Sequence, residues 1–211
     1  MRKTLLLASL ASLPLLSVAQ TTPARFYVGV GATLLTEKPF HNYASSEIGP
    51  ALTAGMQFTP RLALQLSGTY TWRNRIGSYP TYYGGSLPDA TLNYESRTKQ
   101  FTFPLLLRAT LTDPANPLRV DVLGGPMWLH STGRYVSSTT YQGQAVQRES
   151  SRYSDNSFSF ALGPALRYTL TPHVELALDI LVNAGLNGYY YRFNDRLFSN
   201  VLAGVHYNFG G

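Results

Sequence analysis

From about residue 26 onward, apolar residues recur at every second position of the chain. Leu62, Leu64 and Leu66, for example, alternate with Ala63 and Gln65. Successive side chains of a strand point to opposite faces, so this period predicts β-strands, and no helix of useful length is visible after the N-terminal segment. The alternation predicts eight strands, at 26–36, 48–58, 62–73, 101–108, 118–130, 158–168, 174–183 and 196–209.

The connections between these strands differ in length and composition. Three are short and rich in Pro, Asp and Asn, which are turn-forming residues, at 59–60, 113–117 and 171–172. The others are longer, polar and Tyr-rich, at 37–47, 74–93, 131–151 and 187–195. Long and short connections alternate along the chain, which is typical of an up-and-down barrel in an outer membrane, with short turns inside and long loops outside.

The first twenty residues have the pattern of a targeting segment. A basic start at residues 1–3 is followed by an apolar run at 5–16 and by small residues that end at Ala19. This order is the signature of a secretory signal peptide, with cleavage after Ala19 or Gln20. We therefore predict a cleaved signal peptide at 1–20 and a single barrel domain at 21–211.

Composition indicates which strand face points outward. Only 13% of residues are charged, against roughly 25% in soluble domains. The non-apolar strand face consists mostly of Gly, Ala, Ser and Thr, and Lys38 and Lys99 are the only lysines after residue 20. A soluble, lipocalin-like ligand-binding barrel, the alternative, would carry a charged exterior. We therefore predict an all-β fold, an eight-stranded antiparallel up-and-down transmembrane barrel with its apolar face toward lipid.

Six charged residues fall on the predicted lumenal face. They are Arg108, Arg119, Asp121, Arg167, Glu175 and Asp179, and their charges sum to zero. Unpaired charges in a narrow interior are costly, so we expect pairing, with Arg108 near Asp121 and Arg167 near Glu175 across short turns. The prediction is a salt-bridge cluster that plugs the lumen. The alternative is that one or two of these side chains reach water at the rim.

Aromatic residues concentrate at the predicted strand ends. Tyr70, Trp72, Trp128 and Tyr189 fall near the outer ends, and Phe58, Tyr168, Tyr207 and Phe209 near the inner ends. Two such groups are typical of the aromatic girdles at the membrane interfaces. The alternative explanation is the ordinary preference of aromatic residues for strands.

Several segments resemble one family. The opening at 26–31, the segments at 103–108, 121–126 and 160–168, and the ending at 204–209 are similar to the porin-family outer-membrane beta-barrel domain, with the architecture of small OmpA- and OmpX-type barrels. The resemblance covers nearly all of the chain after the signal peptide. It implies a location in the outer membrane of a Gram-negative bacterium.

The same resemblance implies insertion by the outer-membrane assembly machinery, which reads a C-terminal aromatic signal. Tyr207 and Phe209 match that signal, but Gly210 and Gly211 follow them. No peptidoglycan-binding domain follows the predicted barrel, so the chain is not expected to be tethered to the cell wall.

Charge suggests one class of partner and excludes another. Ten Lys and Arg residues and seven Asp and Glu residues, including Glu37, Glu47 and Arg73, fall near the predicted outer ends. The excess of positive charge could contact lipopolysaccharide phosphates, while the alternative is a mixed, solvated rim. The predicted location argues against nucleic acid as a partner. We expect membrane lipids and lipopolysaccharide as partners, and a monomer.

Catalytic and metal-binding patterns are weak. His130 and Ser131 are adjacent on a predicted strand, so they point to opposite faces and make a poor dyad. Cys is absent and the four His have no ligand-like spacing. We therefore predict no cofactor, no metal and no enzymatic activity, but a structural or interaction role. A narrow channel for small solutes and an enzyme that modifies lipid A are the alternatives.

Overall fold

The computed structural model describes residues 25–37, 39, 45–82, 90–186 and 197–209. Within these ranges the chain forms eight strands, which close into one antiparallel barrel in chain order. The strands are β1 (Arg25–Glu37), β2 (Ser45–Thr59), β3 (Leu62–Thr81), β4 (Ala90–Thr110), β5 (Leu118–Tyr141), β6 (Gln144–Thr171), β7 (Val174–Gly185) and β8 (Leu197–Phe209). The predicted fold class is confirmed. The predicted signal peptide at 1–20 lies outside the described residues.

The barrel closes through the pairing of β1 with β8. The register of this pair runs without interruption from Phe26 opposite Phe209 to Glu37 opposite Phe198. At the inner end, two of the turns have the same hydrogen-bonding pattern. In each, a Thr hydroxyl oxygen accepts hydrogen bonds from the backbone N–H groups two and three residues further along the chain. Thr59 and Thr171 play this part, so side-chain capping helps to fix these short turns.

The strand faces are divided as the alternation predicts. Large apolar side chains such as Val30, Ile48 and Leu52 are 64%, 67% and 65% exposed on the outside of the barrel. The inward positions carry small, polar or charged side chains, and Leu106 and Leu123 are fully buried among them. Within the described part of the chain, no helix is long and apolar enough to cross a membrane.

The height of the apolar exterior matches a bilayer. Phe158 and Tyr168, near its two ends, are ten residues apart on β6. That separation is a path of about 33 Å. It spans about 25 Å in height when the strand is tilted by roughly 40°, as strands of membrane barrels are.

The connections at 74–93 and 131–151 were predicted as long loops, and the structure corrects this prediction. Their described residues, apart from Tyr82 and one turn, are strands, and that turn joins β5 to β6 through Gln142 and Gly143, both with positive φ. We call the parts of β3–β6 at 73–81, 90–100, 129–141 and 144–157 the outer sheet. Its strands contain many Ser, Thr and Tyr residues but few apolar ones, because the outward face no longer meets lipid, so the alternation that reveals a strand is missing.

Four glycines in the sheet lie directly opposite aromatic residues whose rings cover them. Tyr27 covers Gly55, and an added Cβ on Gly55 would meet the Tyr27 ring at 2.1 Å. His206 covers Gly29 in the lumen, and Tyr94 and Tyr153 cover Gly77 and Gly133 in the outer sheet. Because glycine has no side chain, each ring can occupy the space where a Cβ would otherwise lie.

Candidate functional site

The inner half of the lumen contains a chain of charges of alternating sign. Asp179 Oδ1 lies 2.8 Å from Arg108 Nη2, and Arg108 Nη1 lies 2.7 Å from Asp121 Oδ2. The chain continues from Asp121 Oδ2 to Arg167 Nε at 2.6 Å. Arg167 Nη1 then lies 3.5 Å from Glu175 Oε2. We call this set, with its last member below, the lumenal ion chain.

Arg119 ends the chain, and its Nη2 donates to Glu175 Oε1. Four of the six residues thus contact two partners of opposite charge. The side chains at the Asp179 end are 1% exposed or less, whereas those of Arg119 and Glu175 are each 9% exposed. The net charge of the chain is zero, so each buried charge is compensated inside the barrel.

Neutral side chains extend this network across the barrel. Gln65 of β3 donates to Asp179 Oδ2 at 2.7 Å through Nε2, and its Oε1 accepts from Arg108 Nη2. Tyr27 of β1 donates its hydroxyl to the same Oε1 at 3.1 Å. Arg167 also donates to Thr110 Oγ1 at 3.0 Å. Hydrogen bonds therefore connect β1, β3, β4, β5, β6 and β7 through the interior.

The register explains why these residues meet. Arg119 lies directly opposite Arg167, which would be unfavourable without an anion between them. Glu175, on the next strand, contacts both guanidinium groups. The sequence placed all six residues on the lumenal face, and the structure brings them into one connected set, including the two pairs expected across short turns.

The middle of the lumen is packed without charges. Leu106, Leu123, Met127 and Leu181 form a buried apolar cluster on the side of β4–β7. On the other side, hydroxyl and amide groups pair with each other, as in the hydrogen bond between Thr53 and Ser67. Similar side-chain pairs join Thr33 to Asn200 and Thr69 to Thr102.

A second polar cluster lies at the lumen's outer mouth, where the sequence indicated only rim charges. Arg73 Nε lies 3.3 Å from Glu47 Oε1, and its Nη2 lies 3.4 Å from Glu37 Oε2. Thr71 donates to Glu47 at 3.0 Å, and Gln100 donates to Glu37 at 2.8 Å. The Glu47 side chain is fully buried. Continuing the alternation of the lumenal face along each strand places these residues on the inward side, and that alternation was the signal in the sequence that could have revealed the cluster.

The described aromatic residues predicted near the strand ends lie on the outer surface. Trp72, Trp128 and Tyr70 belong to a band of neighbouring rings that includes Phe101 and Phe103, with centroids 4.6–5.6 Å apart in its three contacts. At the inner end, Tyr207 packs on Phe209 at 5.6 Å. Phe58 and Tyr168 are 42% and 46% exposed at that end. Tyr189 lies outside the described residues.

His130 and Ser131 face opposite sides of β5. His130 lies on the outward face, where its Nδ1 is 2.8 Å from Asn156 Oδ1 and its ring is 6.0 Å from that of Trp128. Ser131 lies at an inward-facing position of the strand, directly opposite Asp155 of β6. Their backbone positions therefore keep the two side chains apart.

The closed barrel, apolar exterior and charge-filled interior define the class of small outer-membrane β-barrels. The chain matches the family model of the outer membrane protein beta-barrel domain over residues 4–209, and it belongs to that family. The protein is accordingly located in the outer membrane of a Gram-negative bacterium. No curated protein matches the chain.

Solved structures of the same fold are distant in sequence. Ail of Yersinia pestis is 11% identical, with a TM-score of 0.55 over 89% of this chain and 100% of Ail. A major outer membrane protein from Thermus thermophilus is 15% identical, with a TM-score of 0.60 over 88% of this chain and 99% of that one. OprG from Pseudomonas aeruginosa is 10% identical, with a TM-score of 0.50 over 90% and 97%. At these identities the similarity shows the fold.

Proposed function

We propose that the protein is a closed barrel with a structural and interaction role, in which the lumenal ion chain plugs the interior and the barrel holds the outer sheet above the membrane as a binding surface. The observation that carries the proposal is the connected ion chain across the lumen. It places three guanidinium groups and three carboxylates in a space that, in an eight-stranded barrel, is just wide enough for side chains.

The outer sheet supports the second half of the proposal. A tilted strand crosses a bilayer with about 9–11 residues, whereas β5 has 24 and β6 has 28. Their pairing continues from Trp128 opposite Phe158 to Tyr141 opposite Gln144. This is a hydrogen-bonded extension rather than a loop. We expect it to be rigid, and rigid surfaces bind partners at a lower entropic cost.

Conductance in planar bilayers tests the plug. The refolded protein, checked for its folded form by heat modifiability on a gel, is expected to give no steady openings under conditions in which a general porin conducts. Steady, uniform openings would support the alternative of a narrow channel and overturn the closed barrel.

Amide hydrogen exchange tests the rigidity of the outer sheet. We expect the amides of 131–141 that pair within the sheet to exchange far more slowly than those of an unstructured peptide. Exchange of the whole segment at the unprotected rate would show a mobile loop and would remove the proposed rigid surface.

An enzyme acting on lipid A is the alternative of a different class. The separation of His130 from Ser131 on opposite strand faces supports a non-enzymatic role, because a nucleophile and its base must be within hydrogen-bonding reach. Lipid A mass spectra of a deletion strain are expected to equal those of the parent strain. A shift in acylation that the restored gene reverses would support the enzyme.

Three further features belong to the same proposal. The bands of exposed aromatic residues act as interfacial girdles. The alternating Tyr207 and Phe209 serve the outer-membrane assembly machinery as a C-terminal signal. We also propose a monomer, since the barrel closes upon itself through β1 and β8 and leaves no unpaired edge at membrane depth for a second copy to pair with.

A further inference from the structure

Three arginines lie side by side across neighbouring strands of the outer sheet. Arg97 of β4 is directly opposite Arg134 of β5, and Arg134 is directly opposite Arg152 of β6. Paired residues point to the same face, and the parity of these positions continues the lipid-facing side of the barrel. All three side chains are exposed. We call them the arginine row.

The arginine row is unfavourable in isolation. Like charges directly opposite each other on a sheet destabilise the pairing. Arg97 has an acidic neighbour, since its Nε lies 2.5 Å from Glu95 Oε1. Arg134 and Arg152 have no acidic partner among the described residues. A repulsive arrangement of this kind is balanced when an anion binds between the guanidinium groups.

The rest of the outward face has the same sign. Lys99 is opposite Thr132, and Arg148 is opposite Ser138, so cations and hydroxyl groups flank the arginine row on both sides. Among the described residues of this face, five cations accompany one acid, Glu95. The alternative of a mixed rim therefore does not describe this face of the outer sheet.

The opposite face of the outer sheet, which continues the lumenal side, has a different balance. It carries Arg73 and Arg75 together with Glu149 and Asp155, and the mouth adds Glu37 and Glu47. The positive potential is thus directed sideways, away from the barrel axis. A solute approaching the mouth from above would meet the other face, so the partner of the arginine row lies beside the barrel.

The height of the row indicates what lies beside it. Arg97 is four residues beyond Phe101 of the outer aromatic band, and Arg152 is six residues beyond Phe158, which lies directly opposite Trp128 of that band. On tilted strands these separations correspond to about 10–15 Å above that band. Phosphorylated head groups and inner sugars of the outer-leaflet glycolipid occupy this layer around an outer-membrane barrel.

We propose that the arginine row is a binding site for the phosphate groups of lipopolysaccharide in the surrounding outer leaflet. Guanidinium groups present paired N–H donors that match phosphate oxygens, and two neighbouring arginines can share one phosphate. Thr132, Ser138 and Ser154 on the same face supply hydroxyl groups for the adjoining sugars. The site goes beyond the closed-barrel function and does not depend on it, because the lumen takes no part.

The test compares two double variants of the full chain refolded in phospholipid vesicles with and without purified lipopolysaccharide. Arg134→Thr with Arg152→Thr removes the unpaired cations from the row. Arg61→Thr with Arg75→Thr is the control, which removes the same charge from an inner turn and from the axis-facing side, where both residues are exposed. Binding is measured by titration of lipopolysaccharide, and stability by the unfolding temperature.

Wild type and the control variant are expected to bind lipopolysaccharide and to unfold at a higher temperature in its presence. The Arg134 and Arg152 variant is expected to lose about tenfold or more in affinity, since charge-assisted hydrogen bonds are lost. Without lipopolysaccharide its unfolding temperature is expected to equal or exceed that of wild type, because the repulsion is relieved. Equal affinity of the two variants, or a greater loss in the control, would overturn the site.

Two further arms identify the ligand chemistry. Dephosphorylated lipopolysaccharide is expected to bind wild type as weakly as intact lipopolysaccharide binds the Arg134 and Arg152 variant. Equal binding of the intact and dephosphorylated forms would exclude phosphate recognition. Inorganic phosphate in vesicles without lipopolysaccharide is expected to give no comparable stabilisation, and an equal effect would assign the row to free anions instead of the glycolipid. Conductance of wild type is unaffected by any of these outcomes.

Discussion

Arg108 Nη2 lies 2.8 Å from Asp179 Oδ1, and the side chains of both residues are 1% exposed. The two residues belong to β4 and β7, which are not neighbours in the sheet, so this contact crosses the lumen. Arg108 also contacts Asp121 at 2.7 Å. One guanidinium group therefore compensates two carboxylates from two different strands, Asp121 of β5 and Asp179 of β7.

Replacing Arg108 by Met is expected to destabilise the barrel by about 3–5 kcal/mol, because two buried carboxylates lose their shared cation. The measurement is the free energy of unfolding by urea in phospholipid vesicles. Arg61→Met at an exposed inner turn is the matched control and is expected to change the free energy by less than about 0.5 kcal/mol. Equal unfolding midpoints for the two variants would contradict the connected role of Arg108.

The two ends of the ion chain are expected to differ in importance. The carboxylate of Asp121 is fully buried and accepts from Arg108 and Arg167, whereas Glu175 is 9% exposed near the inner rim. Asp121→Asn should therefore cost about 3 kcal/mol or more. Glu175→Gln should cost about 1–2 kcal/mol, since water partly screens its partners. The same unfolding assay ranks the two, and a reversed order would refute the assignment.

Glycine is required where an aromatic ring occupies the space of its side chain. Gly55→Ala would place a Cβ 2.1 Å from the Tyr27 ring and so displace the Tyr27 hydroxyl from Gln65. The expected loss of stability is about 1–3 kcal/mol. Gly68→Ala is the control, because its Cβ would meet Phe103 at an ordinary 3.4 Å on the outward face. Similar unfolding midpoints for both variants would show that the ring moves freely.

Much of the barrel could be predicted from the sequence, because the two faces of its strands meet different solvents. Lipid on one side selects residues such as Val30 and Leu52, and the narrow lumen on the other selects small or paired polar residues. The same parity placed Arg108 and Asp121 inside. The pattern could not predict which acid pairs with which arginine. Glu175 reaches both Arg119 and Arg167 only because of the register of three neighbouring strands.

The outer sheet could not be recognised in the same way, and the reason is physical. Beyond Trp128 on β5 the outward positions no longer meet lipid and carry polar residues such as Thr132 and Ser138, as the inward positions do, so polarity does not alternate. The mouth cluster was missed for a related reason. Glu47 falls at the end of a predicted loop and Arg73 borders another, and only the longer observed strands place both side chains inside.

The turn that closes the β5–β6 hairpin gives the last prediction. Gln142 and Gly143 have φ angles of 49° and 82°, the left-handed values of the two-residue turn that suits the twist of a hairpin. Asn is favoured over Gln at the first of these positions. Gln142→Asn is therefore expected to slow amide exchange at 138–148. Gly143→Ala should speed exchange there, because an L side chain at this φ costs roughly 1–2 kcal/mol. The lumen lies many residue pairs away, so neither variant should shift the unfolding midpoint of the barrel. Unchanged amide exchange in both variants would show that the turn is not formed. A lower unfolding midpoint for Gly143→Ala would show that the turn is coupled to the whole barrel.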